Sequence, residues 1–324
     1  MGSNNQNVLE KMQDAGTLII ADTADFRQIA KFKPSEGTTN PSLLYAAAQN
    51  PTYSHLITRT IQCAKSLDSS TTESHRLELA AEFLAVEFGT EIYKLTGRVS
   101  TEVDVVHSFN TEATISAALR VIALYAERGI PKENVRIKIS ATWEGIKAAS
   151  VLTHEHGISV LITIVFGMVQ AITAAEAGVA CIAPYIGRIA DWHKVQGIVD
   201  GDAGVERVRD MQNYLRKYGY ATKVMGASFR NTEQAKQLAG LDLLTISPAI
   251  LELLEREGGS DVEPCLTEET ARASNIQKVS YLNDENAFRW AFNKDACAVE
   301  KSAEAMRKFA EDSEKLQALL KEML

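Results

Sequence analysis

The feature that most constrains the fold is an alternation of short apolar runs with amphipathic helical segments along the whole chain. Short, continuous apolar runs are typical of strands buried on both faces of a parallel sheet. Eight are recognisable: Thr17–Ala21, Thr38–Asn40, Arg98–Val103, Val135–Ile139, Ser159–Val165, Val179–Ala183, Thr222–Met225 and Leu243–Ile246. Eight such strands in a chain of 324 residues predict an α/β protein with a single (β/α)8 TIM-type barrel.

Amphipathic helices separate these runs and extend the chain at both ends. Thr111 to Arg128 carries apolar residues at a period of 3.6, and Gly129 follows as the expected C-cap. Residues 1–14 are predicted to form an extra helix before the first strand. A charged amphipathic helix is predicted from Val299 to the end of the chain.

Composition and charge exclude several classes of protein. Hydrophobic residues make up 45% of the chain, enough for a large core, and no composition shift divides it, so one domain over residues 1–324 is predicted. A net charge of −8 argues against a nucleic-acid or membrane-surface partner. The longest apolar run, Val160–Val169, is too short to span a membrane, and the first residues lack the apolar core of a secretion signal. We therefore expect a cytoplasmic protein.

Neither metal nor cofactor is expected. The four cysteines, Cys63, Cys181, Cys265 and Cys297, are dispersed without Cys-x-x-Cys spacing, so no disulfide framework or zinc site is predicted. His154 and His156 are read as exposed residues at a helix end. The glycine-rich motifs that bind dinucleotides or nucleoside triphosphates are absent from the sequence.

Polar residues stand where the buried strands end, and barrel active sites lie at the carboxyl ends of the strands. Strand alternation places Arg136, Lys138 and Ser140 on one face of the fourth strand and Ile137 and Ile139 on the other. If the isoleucines face the helices, Lys138 points into the barrel. A buried lysine tends to become neutral with a lowered pKa, and a neutral amine is the nucleophile of Schiff-base chemistry. An internal ion pair with Glu102 or Asp22, without chemistry, is the alternative.

Three further strand-end residues suit proton transfer around such an amine. Asp22 and Glu102 supply carboxyl groups that could protonate a carbinolamine or accept a hydroxyl proton. Thr163 could hold a water molecule. The structural alternatives are capping or ion-pairing carboxylates and an ordinary buried threonine.

A phosphate site is predicted late in the strand order. Arg188 follows the sixth strand, and Ser228 and Arg230 follow the seventh within Gly226-Ala227-Ser228-Phe229-Arg230. Two guanidinium groups and a hydroxyl suit a phosphate monoester, and barrel phosphate sites often follow the last strands. Two surface arginines in salt bridges are the alternative.

These strand-end segments resemble the transaldolase family over nearly the whole chain. The segments that carry the resemblance are Ala21-Asp22-Thr23, Thr38-Thr39-Asn40-Pro41-Ser42-Leu43, Val99-Ser100-Thr101-Glu102-Val103-Asp104, Ile137-Lys138-Ile139, Thr142-Trp143-Glu144-Gly145-Ile146, Gly187-Arg188-Ile189 and Met225-Gly226-Ala227-Ser228-Phe229-Arg230.

The resemblance implies a cofactor-free enzyme that moves a dihydroxyacetone unit between sugar phosphates of the pentose phosphate pathway. It implies Lys138 as the Schiff-base lysine, Asp22 as the acid/base at the cleaved bond, and Glu102 and Thr163 as holders of a catalytic water. By the same resemblance, Asn40 binds a donor hydroxyl, and Arg188, Ser228 and Arg230 bind the phosphate. Family members are commonly dimers, so a homodimer is expected.

The chain departs from the family around the donor pocket. Leu161 and Ala183 stand where typical transaldolases have asparagine and serine, and Tyr185 stands for phenylalanine. All three resemble fructose-6-phosphate aldolases, which accept less hydroxylated donors such as hydroxyacetone. Gly167 and Val106 also differ from the usual serine and arginine. Arg136 replaces an apolar residue and is expected to lower the pKa of Lys138 further.

Three functions therefore remain open. The first is a transaldolase with a modified donor pocket. The second is an aldolase or biosynthetic lyase that uses the same Schiff base on a less polar donor. The third is a silent barrel that serves as a binding protein, although such a protein has no physical reason to keep Lys138, Asp22, Glu102 and Thr163 together. His107 receives no role.

Overall fold

Eight parallel strands close into a barrel in the order of the chain, from β1 beside β2 around to β8 beside β1. The computed structural model describes residues 6–32, 34–198, 200–258, 262 and 266–324. The strands are β1 (Leu18–Asp22), β2 (Gly37–Thr38), β3 (Val99–Glu102), β4 (Val135–Ser140), β5 (Ser159–Val165), β6 (Cys181–Pro184), β7 (Lys223–Gly226) and β8 (Leu243–Ile246). The predicted (β/α)8 barrel is confirmed.

Every predicted run overlaps a strand, and the differences lie at the ends. The bounds of β5 and β8 are as predicted, whereas β2 was wrongly extended to Asn40. Asn40 caps the following helix instead, because its side chain accepts a hydrogen bond from the Leu43 N–H and Pro41 occupies the first helical position.

Helices surround the barrel and cover one of its ends. They are α1 (Val8–Asp14), α2 (Phe26–Phe32), α3 (Pro41–Ala48), α4 (Ser54–Lys65), α5 (Glu73–Thr96), α6 (Thr111–Glu127), α7 (Trp143–His154), α8 (Met168–Glu176), α9 (Ile186–Val195), α10 (Ala203–Lys217), α11 (Thr232–Lys236), α12 (Pro248–Arg256), α13 (Glu268–Ala273), α14 (Glu285–Lys294) and α15 (Ala296–Lys321). Within residues 6–14 the extra N-terminal helix is confirmed as α1; residues 1–5 lie outside the described residues.

The C-terminal helix α15 lies over the carboxyl ends of the strands. It begins three residues earlier than predicted, at Ala296, and packs against α3, α5, α9 and the end of β5. Phe309 on this helix reaches the cavity at the barrel mouth. Asp312 fixes the helix to α3 by accepting a hydrogen bond from the Ser42 hydroxyl. The helix therefore forms part of the wall around the mouth of the barrel.

Side-chain alternation along β4 follows the prediction. Ile137 and Ile139 are buried in the apolar layer between the strands and the helices. Lys138 points into the barrel toward its carboxyl end, and Arg136 lines the opposite, amino-terminal end. The barrel interior thus contains charged side chains at two levels.

The cysteines, possible metal ligands and possible membrane-spanning helices can be examined within the described residues. Cys63, Cys181 and Cys297 are free thiols, while Cys265 lies outside the described residues. No cluster of three or more histidine, cysteine, aspartate or glutamate side chains able to hold a metal ion is found there. Among the helices of these segments, none combines the length and apolar character needed to cross a bilayer.

We predict that Asp312→Asn destabilises the protein by about 1.5–3 kcal/mol, the usual contribution of hydrogen bonds to a charged group. Burial alone raises the pKa of Asp312, but hydrogen bonds from Lys308 at 2.8 Å and from Ser42 hold it below the ordinary 3.8. A lowered pKa stabilises the fold above pH 3.8, and this stabilisation is lost as the pH falls further. The free energies of unfolding of the wild type and of Asp312→Asn, measured with denaturant, should therefore converge at low pH.

The exposed residue Glu314 on the same helix provides the matched control, since Glu314→Gln removes a charge that has no ion pair or side-chain hydrogen bond among the described residues. We expect it to change stability by less than about 0.5 kcal/mol. Equal effects of the two substitutions would contradict the proposed anchoring of α15.

Candidate active site

A cavity of about 170 Å³ opens at the carboxyl ends of the strands. Most of the predicted site residues line it: Asp22, Asn40, Lys138, Leu161, Thr163, Ala183, Tyr185, Arg188 and Ser228. Glu102 lies beside Lys138, and Arg230 lies next to Ser228 at the rim. The structure therefore brings together residues from seven of the eight strands or the loops that follow them.

Lys138 is the buried cation at the centre of this site, with 5% of the residue exposed. Its Nζ donates a hydrogen bond to the Thr39 carbonyl at 2.7 Å and lies 3.1 Å from Glu102 Oε2. The strand register causes this contact, because Glu102 on β3 is the direct neighbour of Lys138 on β4.

The prediction that the pKa of Lys138 is lowered is wrong for the free protein. Burial does lower the pKa, but the negative charges of Glu102 and Asp22 outweigh burial and hold it above the ordinary value. The ion pair that sequence reasoning offered as an alternative to catalysis is therefore present. A proton can pass between the two groups of this pair, so the contact is compatible with a neutral amine.

Arg136 does not act as predicted on Lys138. Its guanidinium is 3.1 and 2.8 Å from the two carboxylate oxygens of Glu36, a residue with 2% exposure at the amino-terminal end of the barrel. The Glu36 carboxylate balances the charge of Arg136. An added cation near Lys138 is thus ruled out as a cause of a lower amine pKa.

Burial raises the pKa of both carboxyl groups near Lys138. For Glu102, desolvation outweighs the charge of Lys138. For Asp22, desolvation outweighs both Lys138 and the hydrogen bond that the Thr38 hydroxyl donates at 3.0 Å. A carboxyl group with a raised pKa exchanges protons with a nearby base more readily around neutral pH.

The end of β5 is irregular, and this irregularity accompanies the position of Thr163. The pairing of β5 with β6 shifts between Ile162 and Val165, and Ile164 has a φ of 60°. Positive φ is rare for a β-branched residue and costs of order 1–3 kcal/mol. Thr163 lies within this irregular segment, and its hydroxyl is 3.1 Å from the Tyr185 hydroxyl.

The side of the cavity formed by β5 and β6 is largely apolar. Leu161 and Ala183, both almost fully buried, contribute only hydrocarbon. Tyr185 is held edge-on by Phe166 at a centroid distance of 5.5 Å. Its hydroxyl is therefore the main polar group that β6 and its following residue contribute.

The predicted phosphate residues meet at the junction of α9 with the loop after β7. Arg188 lies over the Tyr185 ring at 5.5 Å and has no ion pair among the described residues. Ser228 adopts a φ of 62°, unusual for a serine. Gly187 permits this junction, because a Cβ there would lie 2.3 Å from the Ser228 carbonyl oxygen.

Arg230 is only partly as predicted. Its guanidinium is 3.3 Å from Ser228 Oγ, but it also forms a half-exposed ion pair with Asp191 at 2.7 Å. The salt-bridge alternative thus holds for Arg230 and does not hold for Arg188. Asn40 uses its side-chain oxygen as a helix cap, which leaves its amide NH2 for a ligand in the cavity.

Sequence reasoning missed several residues that line the cavity: Thr38, Ser42, Leu43, Met225, Ala227, Thr245 and Phe309. Thr38 and Thr245 are polar positions on strands, and that signal was available. Their hydroxyls are 2.9 Å apart, and the Thr38 hydroxyl also donates to Asp22, so the three side chains form one hydrogen-bonded row. Nothing in the period of α15 indicates where Phe309 docks. His107 lies outside this cavity, 3.4 Å from Glu78.

Comparisons with known proteins identify the same family over nearly the whole chain. A family model described as transaldolase/fructose-6-phosphate aldolase matches residues 19–320. A transaldolase of Gibberella intermedia is 47% identical over 98% of each chain. The transaldolase of Saccharomyces cerevisiae is 47% identical, over 94% of this chain and 92% of its own. That of Bos taurus is 46% identical, over 98% and 95%.

We predict that Glu102→Gln lowers the pKa of Lys138, because the carboxylate charge is lost while burial remains. Reductive methylation with formaldehyde, followed by peptide mass spectrometry, measures the neutral amine as a function of pH. The pH of half-maximal reaction should fall in the variant. Asp104→Asn is the control, since Asp104 is not a cause of the Lys138 shift. An unchanged or higher midpoint in Glu102→Gln would refute the electrostatic assignment.

Proposed function

Because this chain belongs to the transaldolase/fructose-6-phosphate aldolase family, it is an enzyme of the transaldolase type, and we propose that Lys138 carries its Schiff base. The reaction we propose transfers a dihydroxyacetone unit between sugar phosphates of the pentose phosphate pathway. The observation that carries the proposal is the buried contact of 3.1 Å between the Lys138 amine and Glu102.

The first step needs a neutral amine, and the ion pair can supply it. Transfer of a proton from Lys138 to Glu102 converts two buried charges into two neutral groups, and the raised pKa of Glu102 favours that transfer. The amine then attacks the C2 carbonyl of the donor to form a carbinolamine. Glu102 returns the proton to the departing hydroxyl, so that water leaves and the protonated imine forms.

Thr163 and Glu102 would hold that water. Thr163 is fully buried and its hydroxyl faces the same cavity as Lys138. Oε1 of Glu102 has no hydrogen-bond donor among the described residues and can accept from a water molecule. The contact of Thr163 with Tyr185 orients its hydroxyl.

Asp22 is our proposed acid/base for carbon–carbon cleavage. Its carboxylate accepts the proton of the donor C4 hydroxyl while the C3–C4 bond breaks and the electrons move into the enamine on Lys138. Protonation of Asp22 is helped by its raised pKa. The same group returns the proton when the acceptor aldehyde is attacked.

Arg188, Ser228 and Arg230 are our proposed phosphate ligands. Arg188 is available without breaking an ion pair within the described residues, whereas Arg230 must exchange Asp191 for the phosphate. Charge-assisted hydrogen bonds from two guanidinium groups favour a phosphate dianion. Asn40 would bind a donor hydroxyl through its amide NH2.

A second candidate function is an aldol addition or cleavage with a less hydroxylated donor. It is favoured by Leu161 and Ala183, which offer no hydrogen bond to a C1 hydroxyl. A donor hydroxyl left unpaired there costs about 1–3 kcal/mol. Tyr185 provides one hydroxyl on that side.

A cytoplasmic location, a homodimer and one domain over residues 1–324 stay predictions. The partners we propose are sugar phosphates or related carbonyl compounds, and no nucleic acid or membrane is expected.

Transfer from fructose 6-phosphate to erythrose 4-phosphate should give sedoheptulose 7-phosphate, detected by mass spectrometry. Borohydride should trap the donor on Lys138, and Lys138→Ala should lower transfer by roughly 10³-fold or more, the scale of nucleophile removal in covalent enzymes. The exposed Lys194→Ala serves as control. If a donor is trapped on Lys138 but no sedoheptulose 7-phosphate forms, the transferase function is excluded. If no donor can be trapped, only a binding protein without catalytic activity remains.

Donor selectivity separates the two active functions. The less polar wall predicts that hydroxyacetone is used at least as well as dihydroxyacetone in aldol addition. Ala183→Ser and Leu161→Asn should each raise the ratio of kcat/KM for dihydroxyacetone to that for hydroxyacetone. The expected change corresponds to about 1–3 kcal/mol, the cost of one unpaired hydroxyl. Leu161→Met keeps the wall apolar and should leave the ratio nearly unchanged. A wild-type preference for dihydroxyacetone would count against the second candidate.

A further inference from the structure

A second cavity, of about 450 Å³, lies at the amino-terminal ends of the strands, opposite the candidate active site. We call it the basal cavity and define it by Glu36, Arg98, Arg136, Ser159 and Lys223 among its lining residues. None of these residues lines the cavity at the barrel mouth. The basal cavity is therefore separate from the proposed site of Schiff-base chemistry.

Arg136 is the buried cation of this cavity. Only 5% of the residue is exposed, and within the described residues its guanidinium donates hydrogen bonds from Nη1 alone, to the Glu36 carboxylate. Its buried Nε has no hydrogen-bond partner within the described part of the chain. A buried N–H of a charged group is unfavourable without an acceptor, so this face of Arg136 is suited to a ligand oxygen.

The Glu36 carboxylate does not contact the Nε face of Arg136. Its carboxylate already receives Nη1 of Arg136 and the hydroxyl of Ser100, and it is nearly fully buried. Burial of a paired arginine and glutamate leaves no net charge between them. The electrostatic character of the cavity is therefore set by the other cations at its rim.

Arg98 and Lys223 make the basal cavity positive. The Arg98 guanidinium has one recorded contact, a long hydrogen bond of 3.4 Å to the Glu133 carbonyl, and Lys223 has no ion pair among the described residues. Asp242 is the nearby acid, but it is engaged by Arg216 and by the Val224 N–H. Three cations thus face one carboxylate in a chain whose overall charge is −8.

We propose that the basal cavity binds a small phosphate-bearing anion. The phosphate oxygens accept from Nε of Arg136 and from Arg98 and Lys223, while Ser159 offers a hydroxyl. Ile20 and Leu243 supply an apolar surface for a short carbon chain. Arginine groups that converge on one cavity favour phosphate because a guanidinium matches its oxygens in geometry and charge.

Isothermal titration calorimetry of the full chain with inorganic phosphate tests this site. The wild-type protein should bind two equivalents, one at each end of the barrel. Arg188→Ala should remove only the equivalent at the mouth. The double substitution Arg98→Gln and Lys223→Gln should weaken only the basal equivalent, by roughly tenfold or more for two lost phosphate contacts, and should leave transfer activity unchanged.

These rim substitutions avoid the buried Arg136–Glu36 pair, so folding should be preserved. The double substitution of exposed lysines, Lys65→Gln and Lys194→Gln, provides a control with the same loss of two positive charges. A single equivalent in the wild type, lost with Arg188→Ala, would overturn the proposal. So would basal binding that is unaffected by the double substitution. Either result leaves the proposed activity at the mouth untouched.

Discussion

The buried contact between Lys138 and Glu102 is the interaction on which the site depends. It requires two charged side chains on adjacent inward-facing strand positions, and the register of β3 against β4 supplies them. In the free protein the carboxylate keeps the amine protonated despite burial. The same burial makes the neutral form of the pair accessible once a carbonyl arrives. The same contact thus has a charged state in the free protein and, in the reaction we propose, a neutral state that supplies the nucleophilic amine.

The rest of the barrel supports this pair in ways that follow from its geometry. The carbonyl of Thr39, directly after β2, accepts a hydrogen bond from the Lys138 amine. The charge of Asp22 lies close enough to raise the pKa of Lys138. The bulge of β5 accompanies the approach of Thr163 to Tyr185. Helix α15 adds Phe309 as part of the wall, and Asp312 anchors that helix. Strained backbone at Ile164 and Ser228 occurs beside this cavity, as is common at functional sites.

Much of this arrangement could be predicted from the sequence because it depends on local periodicity. The alternation of side chains along β4 predicts that Lys138 points into the barrel. The positions of Asp22 and Arg188 after predicted strands predict that both lie at the barrel mouth. Contacts between distant segments were not predictable in this way. Glu36 lies 100 residues before Arg136 and neutralises the charge that was expected to act on Lys138. Asp191 likewise forms an ion pair with Arg230. The lowered pKa expected for Lys138 rests on burial, whereas the charges of Glu102 and Asp22, which the sequence offers only as the alternative of an ion pair, outweigh burial in the fold.

The protonation state of Lys138 in the free protein is the most direct test of this balance between burial and charge. Nitrogen-15 NMR of lysine-labelled protein, with the signal assigned by comparison with Lys138→Arg, reports that state at neutral pH. We expect an ammonium signal that is replaced by an imine signal when a ketone donor is added. A neutral amine in the free protein, or an ammonium that persists with saturating donor, would contradict the central role of the pair.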